Sequence, residues 1–395
     1  MLLHSLKLIW NKRRANGLLF LEVVLAFLVL FGVLAFVLFN YDRWRAPLGF
    51  EHEDSLLVYV MWPEEADSTT IFEYQERLLT EVKAVDGVSE TALIGFAAPF
   101  SGNTWRNITD DNGFEIDFKG FPSDEHTERT ARLKVTEGRW YREEDKLWKY
   151  PPVVINRAFQ EKYFPEVPTL VDSVIFTDGQ TRIVGVVEDF KYNSNFAERE
   201  PIVFFPQKDE EIAEDPRFAF STVWVRTDPG KKILVQEDIH KAAVAVTKDP
   251  NVTIRDVAKV RDRANRPTLV PIVALSVIAG FLLINAALGL FGVLFTQINR
   301  RRAEIGLRKA MGATPREVIV QFVLEVLLVT GSALLLGLFF AVQVPLLDLT
   351  SIPDKFMFYG MVGAVIIITL IVALCAIIPS WQASRLQPAK VLHEE

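Results

Sequence analysis

Four long apolar segments restrict the fold more than any other feature of this sequence. They lie at residues 18–39, 269–295, 326–347 and 356–378. Each is long enough for an α-helix to cross the hydrocarbon core of a bilayer, which takes roughly 20 residues. The first segment follows a cluster of basic residues, as in a signal peptide, but its apolar run is too long and ends without a small-residue cleavage site. We therefore interpret it as a retained membrane anchor.

The distribution of Lys and Arg predicts the orientation of the four spans. Four basic residues precede the first span, six lie between the second and third, and two follow the fourth, whereas one lies between the third and fourth. Because short cytoplasmic segments are enriched in Lys and Arg, we expect both termini in the cytoplasm. We thus expect a multi-pass membrane protein in contact with lipid.

These spans predict a membrane protein of four transmembrane α-helices with a large α+β extracytoplasmic domain inserted between the first and second. The predicted order is a cytoplasmic N-terminal segment at 1–17, the first span at 18–40, the extracytoplasmic domain at 41–267, the second span at 268–296, a cytoplasmic coupling loop at 297–317, the third span at 318–347, an outside loop at 348–355, the fourth span at 356–378 and a cytoplasmic tail at 379–395.

The predicted extracytoplasmic domain has short strand-like runs interrupted by helical patterns, which is typical of an α+β fold. We expect two lobes, with the middle of the segment inserted between its first and last elements. The domain carries 30 Lys and Arg against 42 Asp and Glu. This acidic excess is ordinary for a soluble domain and does not by itself indicate a cationic substrate.

Motifs for catalysis or metal binding are absent from the sequence. It has no phosphate-binding loop, no Gly-x-Ser-x-Gly elbow and no His-Glu-x-x-His, and the histidines of the predicted domain, His52, His126 and His240, are widely spaced. The single cysteine, Cys375, excludes an intramolecular disulfide. We predict no enzymatic activity, no metal, no cofactor bound by this chain and no nucleic-acid partner. The extracytoplasmic domain is more consistent with a binding or lever module.

The predicted cytoplasmic loop has the signals of an ordered segment. Arg308 and Lys309 precede Gly312, as in the last turn of a helix, and Thr314-Pro315-Arg316-Glu317 predicts the start of the next helix with a capping box. The loop offers apolar and charged side chains to a partner groove, namely Glu304, Ile305, Leu307, Arg308, Lys309 and Met311. An ordinary positive-inside loop is the alternative.

A few polar or small residues inside the predicted spans are candidates for helix packing or an interface. Glu22 and Glu325 lie near the inner boundary, where they line an interface or extend to the lipid headgroups. Asn285 is a candidate for a hydrogen bond between helices. Close helix packing, including a dimer contact through the first two spans, is expected at the small residues Gly280, Gly289 and Gly292.

The predicted cytoplasmic loop contains the stretch Arg301-Arg302-Ala303-Glu304-Ile305-Gly306-Leu307-Arg308-Lys309-Ala310-Met311-Gly312-Ala313-Thr314. In this stretch, the most specific part, the sequence resembles the permease subunits of the MacB/FtsX/LolCE-type ABC transporters. Residues 153–164, 183–190 and 201–205 resemble the periplasmic core domain of the macrolide exporters, and residues 379–389 are similar to the C-terminal tail of the family. The chain departs from the macrolide exporter in having no fused ATPase motif.

The resemblance implies mechanotransmission, in which a separate cytoplasmic ABC ATPase dimer uses ATP and Mg, closes a permease dimer and moves the extracytoplasmic domains. Residues 304–311 would then couple to the ATPase, and the second permease would be another copy or a homologous chain. A membrane-fusion protein or an extracytoplasmic effector is a further implied partner. We expect export or extraction of a hydrophobic or peptide substrate. The alternatives are an FtsX-like signalling lever that activates a partner such as a cell-wall hydrolase, and an outside enzyme or receptor anchored by four spans.

Overall fold

The computed structural model divides into two compact units. The membrane unit comprises residues 1–42 and 268–395, and the β-rich domain comprises residues 43–267. The structure describes residues 13–63, 66–95, 97–102, 105–111, 114–176, 180–215, 218–301, 305, 307, 308 and 311–384.

Helices and strands alternate in the β-rich domain, and long helices form the membrane unit. Within the described residues the α-helices are α1 (Arg13–Arg45), α2 (Ser68–Lys83), α3 (Thr127–Ala131), α4 (Arg157–Tyr163), α5 (Asp209–Glu214), α6 (Gln236–Thr247), α7 (Val257–Arg300), α8 (Pro315–Leu346) and α9 (Asp354–Ser384). The strands are β1 (Ser55–Tyr59), β2 (Val88–Ile94), β3 (Trp105–Asp111), β4 (Phe114–Pro122), β5 (Val135–Gly138), β6 (Pro152–Asn156), β7 (Val174–Phe176), β8 (Gln180–Val187), β9 (Ile202–Phe205), β10 (Thr222–Thr227) and β11 (Thr253–Asp256).

The helices α1, α7, α8 and α9 are long and apolar enough to cross a membrane. This result confirms the predicted fold class of four spans with a large domain between the first and second. The helices extend beyond the predicted spans, most clearly for α7, which begins at Val257 rather than at residue 268. A helix satisfies its own backbone hydrogen bonds, so it need not end where the apolar run ends.

Small residues allow α1 to pack closely against α8 and α9 in the membrane unit. A Cβ atom added at Gly337 of α8 would lie 2.5 Å from the ring of Phe27. One added at Gly360 of α9 would lie 2.9 Å from the backbone of Ala35. Glycine lets helix backbones approach each other where lipid supplies no hydrophobic driving force. The membrane unit therefore has a buried seam along α1.

The described strands of the β-rich domain form two sheets. One is antiparallel and has the order β11-β1-β10-β2, while the other is mixed and has the order β3-β4-β9-β6-β8-β5, with β7 paired to β8. Helices α2 and α6 cover the first sheet through Leu78, Val82 and Ile239, and α4 covers the second through Phe159. The chain leaves the first sheet after β2 and returns to it at β10, so the second sheet is an insertion.

An aromatic core lies between the two sheets. Trp224 of β10 meets the ring of Phe50 edge-on at 5.6 Å, and Phe190 lies 4.8 Å from Phe50 and 5.2 Å from Phe204 of β9. These rings belong to one continuous buried cluster. Because aromatic side chains bury large areas, this cluster accounts for much of the stability of the domain.

Candidate functional site

The segment between α7 and α8 is anchored to the membrane unit by a small apolar cluster. Ile305 is buried and packs with Ile298 at the end of α7 and with Val318 and Phe322 in the first turns of α8. Its backbone N–H donates to the carbonyl of Arg301 at 3.0 Å. The segment is therefore fixed at one point by burial of a β-branched side chain.

An ion pair reinforces this anchor. Arg301 donates from both terminal nitrogens to the carboxylate of Glu325 in α8, at 2.8 and 3.0 Å. The two side chains are only 11% and 15% exposed, and the guanidinium lies 5.9 Å from the ring centre of Phe322. A bidentate pair shielded from water is stronger and more directional than a surface pair. It therefore joins the start of the segment to α8 at the eleventh residue of that helix.

At its other end, the segment contacts α8 again and then turns into the start of that helix. Arg308 donates to the side-chain oxygen of Gln321, and Gly312 has φ of +101°, a left-handed conformation that favours glycine. Thr314 and Glu317 then form the capping box of α8, in which the Glu317 N–H donates to the Thr314 hydroxyl at 3.3 Å and the Thr314 N–H donates to the Glu317 carboxylate at 2.9 Å.

Two apolar side chains of this anchored segment are exposed. Leu307 is 55% exposed and Met311 is 73% exposed. Leu307 and Arg308 have helical backbone, and the Met311 N–H donates to the Leu307 carbonyl at 3.0 Å, which places both apolar side chains one turn apart. Of the other predicted coupling residues, Ile305 is buried, whereas Glu304 and Lys309 lie outside the described residues. Arg301 and Ile305 are thus held against α8, while Leu307 and Met311 are exposed.

Comparison with known proteins places this architecture in a family. Residues 23–242 match the MacB-like periplasmic core domain, and residues 276–388 match the FtsX-like permease C-terminal domain. The chain is a MacB/FtsX-type ABC transporter permease. This result confirms the family that the sequence resembles, and the first of the two matches alone covers more than half of the chain.

Several relatives of this permease carry matching descriptions. The uncharacterized ABC transporter permease YvrN of Bacillus subtilis (strain 168) is 24% identical over 277 residues, which cover 67% of each chain. The macrolide export ATP-binding/permease protein MacB of Hahella chejuensis (strain KCTC 2396) is 26% identical over 278 residues, 68% of this chain and 41% of that protein. The match thus spans about two fifths of the macrolide exporter. The periplasmic region of MacB from Actinobacillus actinomycetemcomitans has a TM-score of 0.38 and 9% identity over 54% of this chain and 94% of that chain.

The span residues of the permease lie in different environments. Glu22 packs against Gly289 of α7, where an added Cβ would come within 2.9 Å of its carboxylate, and it lines a cavity of ≈ 20 Å³ with apolar side chains of α1, α7 and α9. Asn285 donates to the carbonyl of Phe281 in its own helix at 2.8 Å. A Cβ added at Gly280 or Gly292 would have no neighbour within 4 Å among the described residues. The dimer contact through the first two spans stays a prediction.

Glu325 has a partner within the chain, because Arg301 holds both of its oxygens. Its predicted places at an interface or among lipid headgroups stay predictions. Sequence reasoning counted Arg301 only among the orienting positive charges and missed it as a partner. Two opposite charges at the same predicted membrane boundary were the available signal, since charged groups at this depth tend to pair.

Asp124 of the β-rich domain is a buried carboxyl group with structural partners. Burial raises the pKa of Asp124 to about 6. Its carboxylate accepts the N–H of Leu93 and, through the other oxygen, the N–H of His126 at 3.0 Å and the hydroxyl of Thr127 at 2.9 Å. These bonds join β2 to the start of α3. Within the described residues, no group of three or more His, Cys, Asp and Glu side chains is arranged to hold a metal ion.

Proposed function

We propose that this permease transmits the work of a separate cytoplasmic ABC ATPase dimer to its own β-rich domain, by mechanotransmission. The observation that carries the proposal is that Arg301 and Ile305 are fixed to α8 while Leu307 and Met311 are exposed. A segment that only linked two spans would not need exposed apolar side chains on a fixed base. A partner with a matching groove would bury them.

An ATPase that moves the permease must grip side chains that are firmly joined to a span. Burial of a leucine-sized side chain contributes roughly 1.5–3 kcal/mol to an interface. Force reaches the permease only if the gripped residues are rigidly joined to a span, since a slack loop absorbs movement. Burial of Ile305 and the Arg301–Glu325 pair supply that rigid connection. The ATPase would bind ATP and Mg, for which this sequence has no phosphate-binding loop.

The rest of the proposal extends from the family and the charge distribution. We infer that both termini and the Arg301–Thr314 segment lie in the cytoplasm and that the membrane is the bacterial inner membrane. A second copy or a homologous permease would complete the transporter, and a membrane-fusion protein or another extracytoplasmic effector would meet the β-rich domain. The transported substrate would be hydrophobic or peptidic, taken up on the outer side of the membrane.

Leu307→Asp tests the coupling role. This substitution places an unpaired charge where an apolar side chain would be buried, so we expect the complex with the ATPase to be weakened by about tenfold or more. The measurement is the amount of ATPase that copurifies with the permease, together with ATP turnover of the complex. Insertion should be unaffected because the orienting Lys and Arg residues remain.

Leu349→Asp is the matched control for this experiment. Leu349 is exposed to a similar extent, 64%, but lies between α8 and α9 at the opposite end of the spans. Insertion of both variants is checked with a membrane-impermeant thiol reagent on a cysteine placed at the exposed Glu166, with Cys375 replaced. Equal recovery of ATPase with the two variants would contradict the coupling role and favour an ordinary positive-inside loop.

A further inference from the structure

An open cavity in the β-rich domain has an unusual charge. It has a volume of ≈ 530 Å³, within the range of small-molecule sites, and two of the side chains that line it are arginines, Arg255 and Arg263. Its other polar lining side chains are Ser101, Asn193 and Ser194. Among the described residues, no carboxylate lines it. The cavity therefore presents hydrogen-bond donors and positive charge without a neutralising acid.

The sequence next to the cavity is basic, in contrast to the rest of the domain. Residues 255–266 contain five basic and two acidic residues, although the whole segment from 41 to 267 carries an acidic excess. Both acids of this stretch have other partners, because Asp262 pairs with Arg261 at 3.0 Å and Asp256 pairs with Lys232 at 2.9 Å. Neither acid therefore compensates the arginines of the cavity.

The walls of the cavity are held in place by specific contacts. Asn265 of α7 forms reciprocal 2.9 Å bonds with Asn195, which fixes the loop that contains Asn193 and Ser194 against the helix. The guanidinium of Arg255 lies 4.9 Å from the ring centre of Tyr59. Such stacking restricts the arginine without using its hydrogen-bond donors. A site with ordered walls loses less freedom when a ligand binds.

The backbone that lines the cavity is strained at Phe100. Phe100 has φ of 61°, a left-handed conformation that is rare for a bulky residue. Its ring is buried 5.5 Å from the ring of Phe50, and its N–H donates to the carbonyl of Tyr192 at 2.5 Å. These contacts hold the strained residue and place Ser101 and Gly102 along the cavity. Strain of this kind is concentrated at ligand sites and turns that the surrounding structure enforces.

We propose that this cavity binds a phosphate group, with Arg255 and Arg263 as its principal donors. Arginine forms bidentate hydrogen bonds with phosphate oxygens, and two arginines without competing carboxylates compensate a divalent or monovalent anion. The hydroxyl group of Ser194 and the amide of Asn193 complete the donor set. The phosphate belongs either to an anionic lipid headgroup or to a soluble phosphate-bearing molecule, and the same residues suit both sources. This proposal does not depend on the ATPase.

The test uses the full chain in neutral dodecyl maltoside micelles. Inorganic phosphate is titrated by isothermal calorimetry, and phosphatidylglycerol, with phosphatidylcholine as the neutral lipid, is added for counting of bound lipid by native mass spectrometry. Arg255→Gln/Arg263→Gln removes the two donors. Since a hydrogen bond to a charged group contributes substantially to binding, we expect affinity to fall by about tenfold or more. Arg263→Gln alone, which leaves Arg255 in place, should weaken binding by a smaller factor.

The matched control is Lys259→Gln/Arg266→Gln, which removes the same charge from exposed positions of α7 that do not line the cavity. We expect its affinity to stay within about twofold of the wild type, as for a rim charge. Binding of phosphate alone indicates a soluble ligand, and selective binding of phosphatidylglycerol that phosphate displaces indicates a lipid headgroup. The proposal is overturned if the wild type binds neither probe, or if the control variant loses as much affinity as the cavity variant.

Discussion

The β-rich domain and the membrane unit use similar apolar residues in opposite ways. In the β-rich domain, Leu56, Val223 and Trp224 lie fully buried between a sheet and its covering layer. In the membrane unit, α7 exposes apolar side chains along much of its length, among them Val270, Val273, Val277, Ile278, Phe281, Ile284 and Leu288. The first unit is stabilised by removing these groups from water, whereas the second leaves them for lipid or another helix.

Charged pairs, in contrast, are alike in the two units. In the β-rich domain, Arg132 with Glu51 lies at the surface, with side chains 60% and 53% exposed, whereas Lys232 with Asp256 is shielded, with side chains 17% and 12% exposed. In the membrane unit, Arg301 and Glu325 are similarly shielded. Surface pairs contribute little to stability, whereas a shielded pair is costly to break on one side. We therefore expect the two units to differ in the effect of apolar substitutions and the Arg301–Glu325 pair to matter for the membrane unit.

Trp224→Ala should have the largest effect on stability. The substitution leaves a cavity between the two sheets, where the indole meets Phe50, so we expect a loss of about 3–5 kcal/mol. The measurement is proteolysis of the β-rich domain in the purified full chain as temperature increases. Leu288→Ala in α7 is the control and should change this profile by less than about 0.5 kcal/mol, because detergent already surrounds that side chain. Similar losses for both variants would contradict the contrast between the units.

Arg301→Leu should have the second largest effect and should act on the membrane unit. It leaves the Glu325 carboxylate shielded and without its cation, so we expect a loss of about 2–3 kcal/mol, less than for a fully buried pair. The double variant Arg301→Leu/Glu325→Leu should recover much of this loss. Thermal unfolding of α7 and α8, followed by labelling of a cysteine placed at Ile298, measures the effect. A double variant as unstable as the sum of the single variants would show that the two residues do not interact.

The spans and the family were predictable because their signals are local. The apolar segment at 18–39, interrupted by Glu22, is visible without any knowledge of its neighbours. The cap formed by Thr314 and Glu317 is likewise a short-range feature, and the structure shows both of its hydrogen bonds. Local patterns therefore determined the helices, including the start of α8.

The sheet order and the two sites were not predictable in the same way. β1 pairs with β10, far away in the chain, and this pairing depends on which surfaces fit together after the helices form. The Arg301–Glu325 pair and the cavity at Arg255 and Arg263 also combine separate segments. A single sequence shows the charges but not which of them meet.

The smallest effect should come from the helix caps. A side-chain oxygen caps a helix in each unit, but only the cap of α8 adjoins the segment proposed to bind the ATPase. Asp67 of the β-rich domain accepts the N–H of Thr70 at 2.9 Å, as Thr314 accepts that of Glu317. Both capping residues are exposed, so Asp67→Ala and Thr314→Ala should each cost about 1 kcal/mol in their own unit.

Only Thr314→Ala should affect the coupling proposed for the segment from Arg301. Loss of the cap frays the first turn of α8, which includes Val318. Because Val318 packs with Ile305, this fraying loosens the anchor of the segment. We expect copurified ATPase to bind about as tightly as before but its turnover to depend less on the permease, because the contact surface persists while its rigid base does not. Thermal unfolding and ATP turnover, measured on both variants, separate these effects. If Asp67→Ala reduced coupling equally, stability of the whole chain rather than the rigidity of this segment would be the controlling quantity.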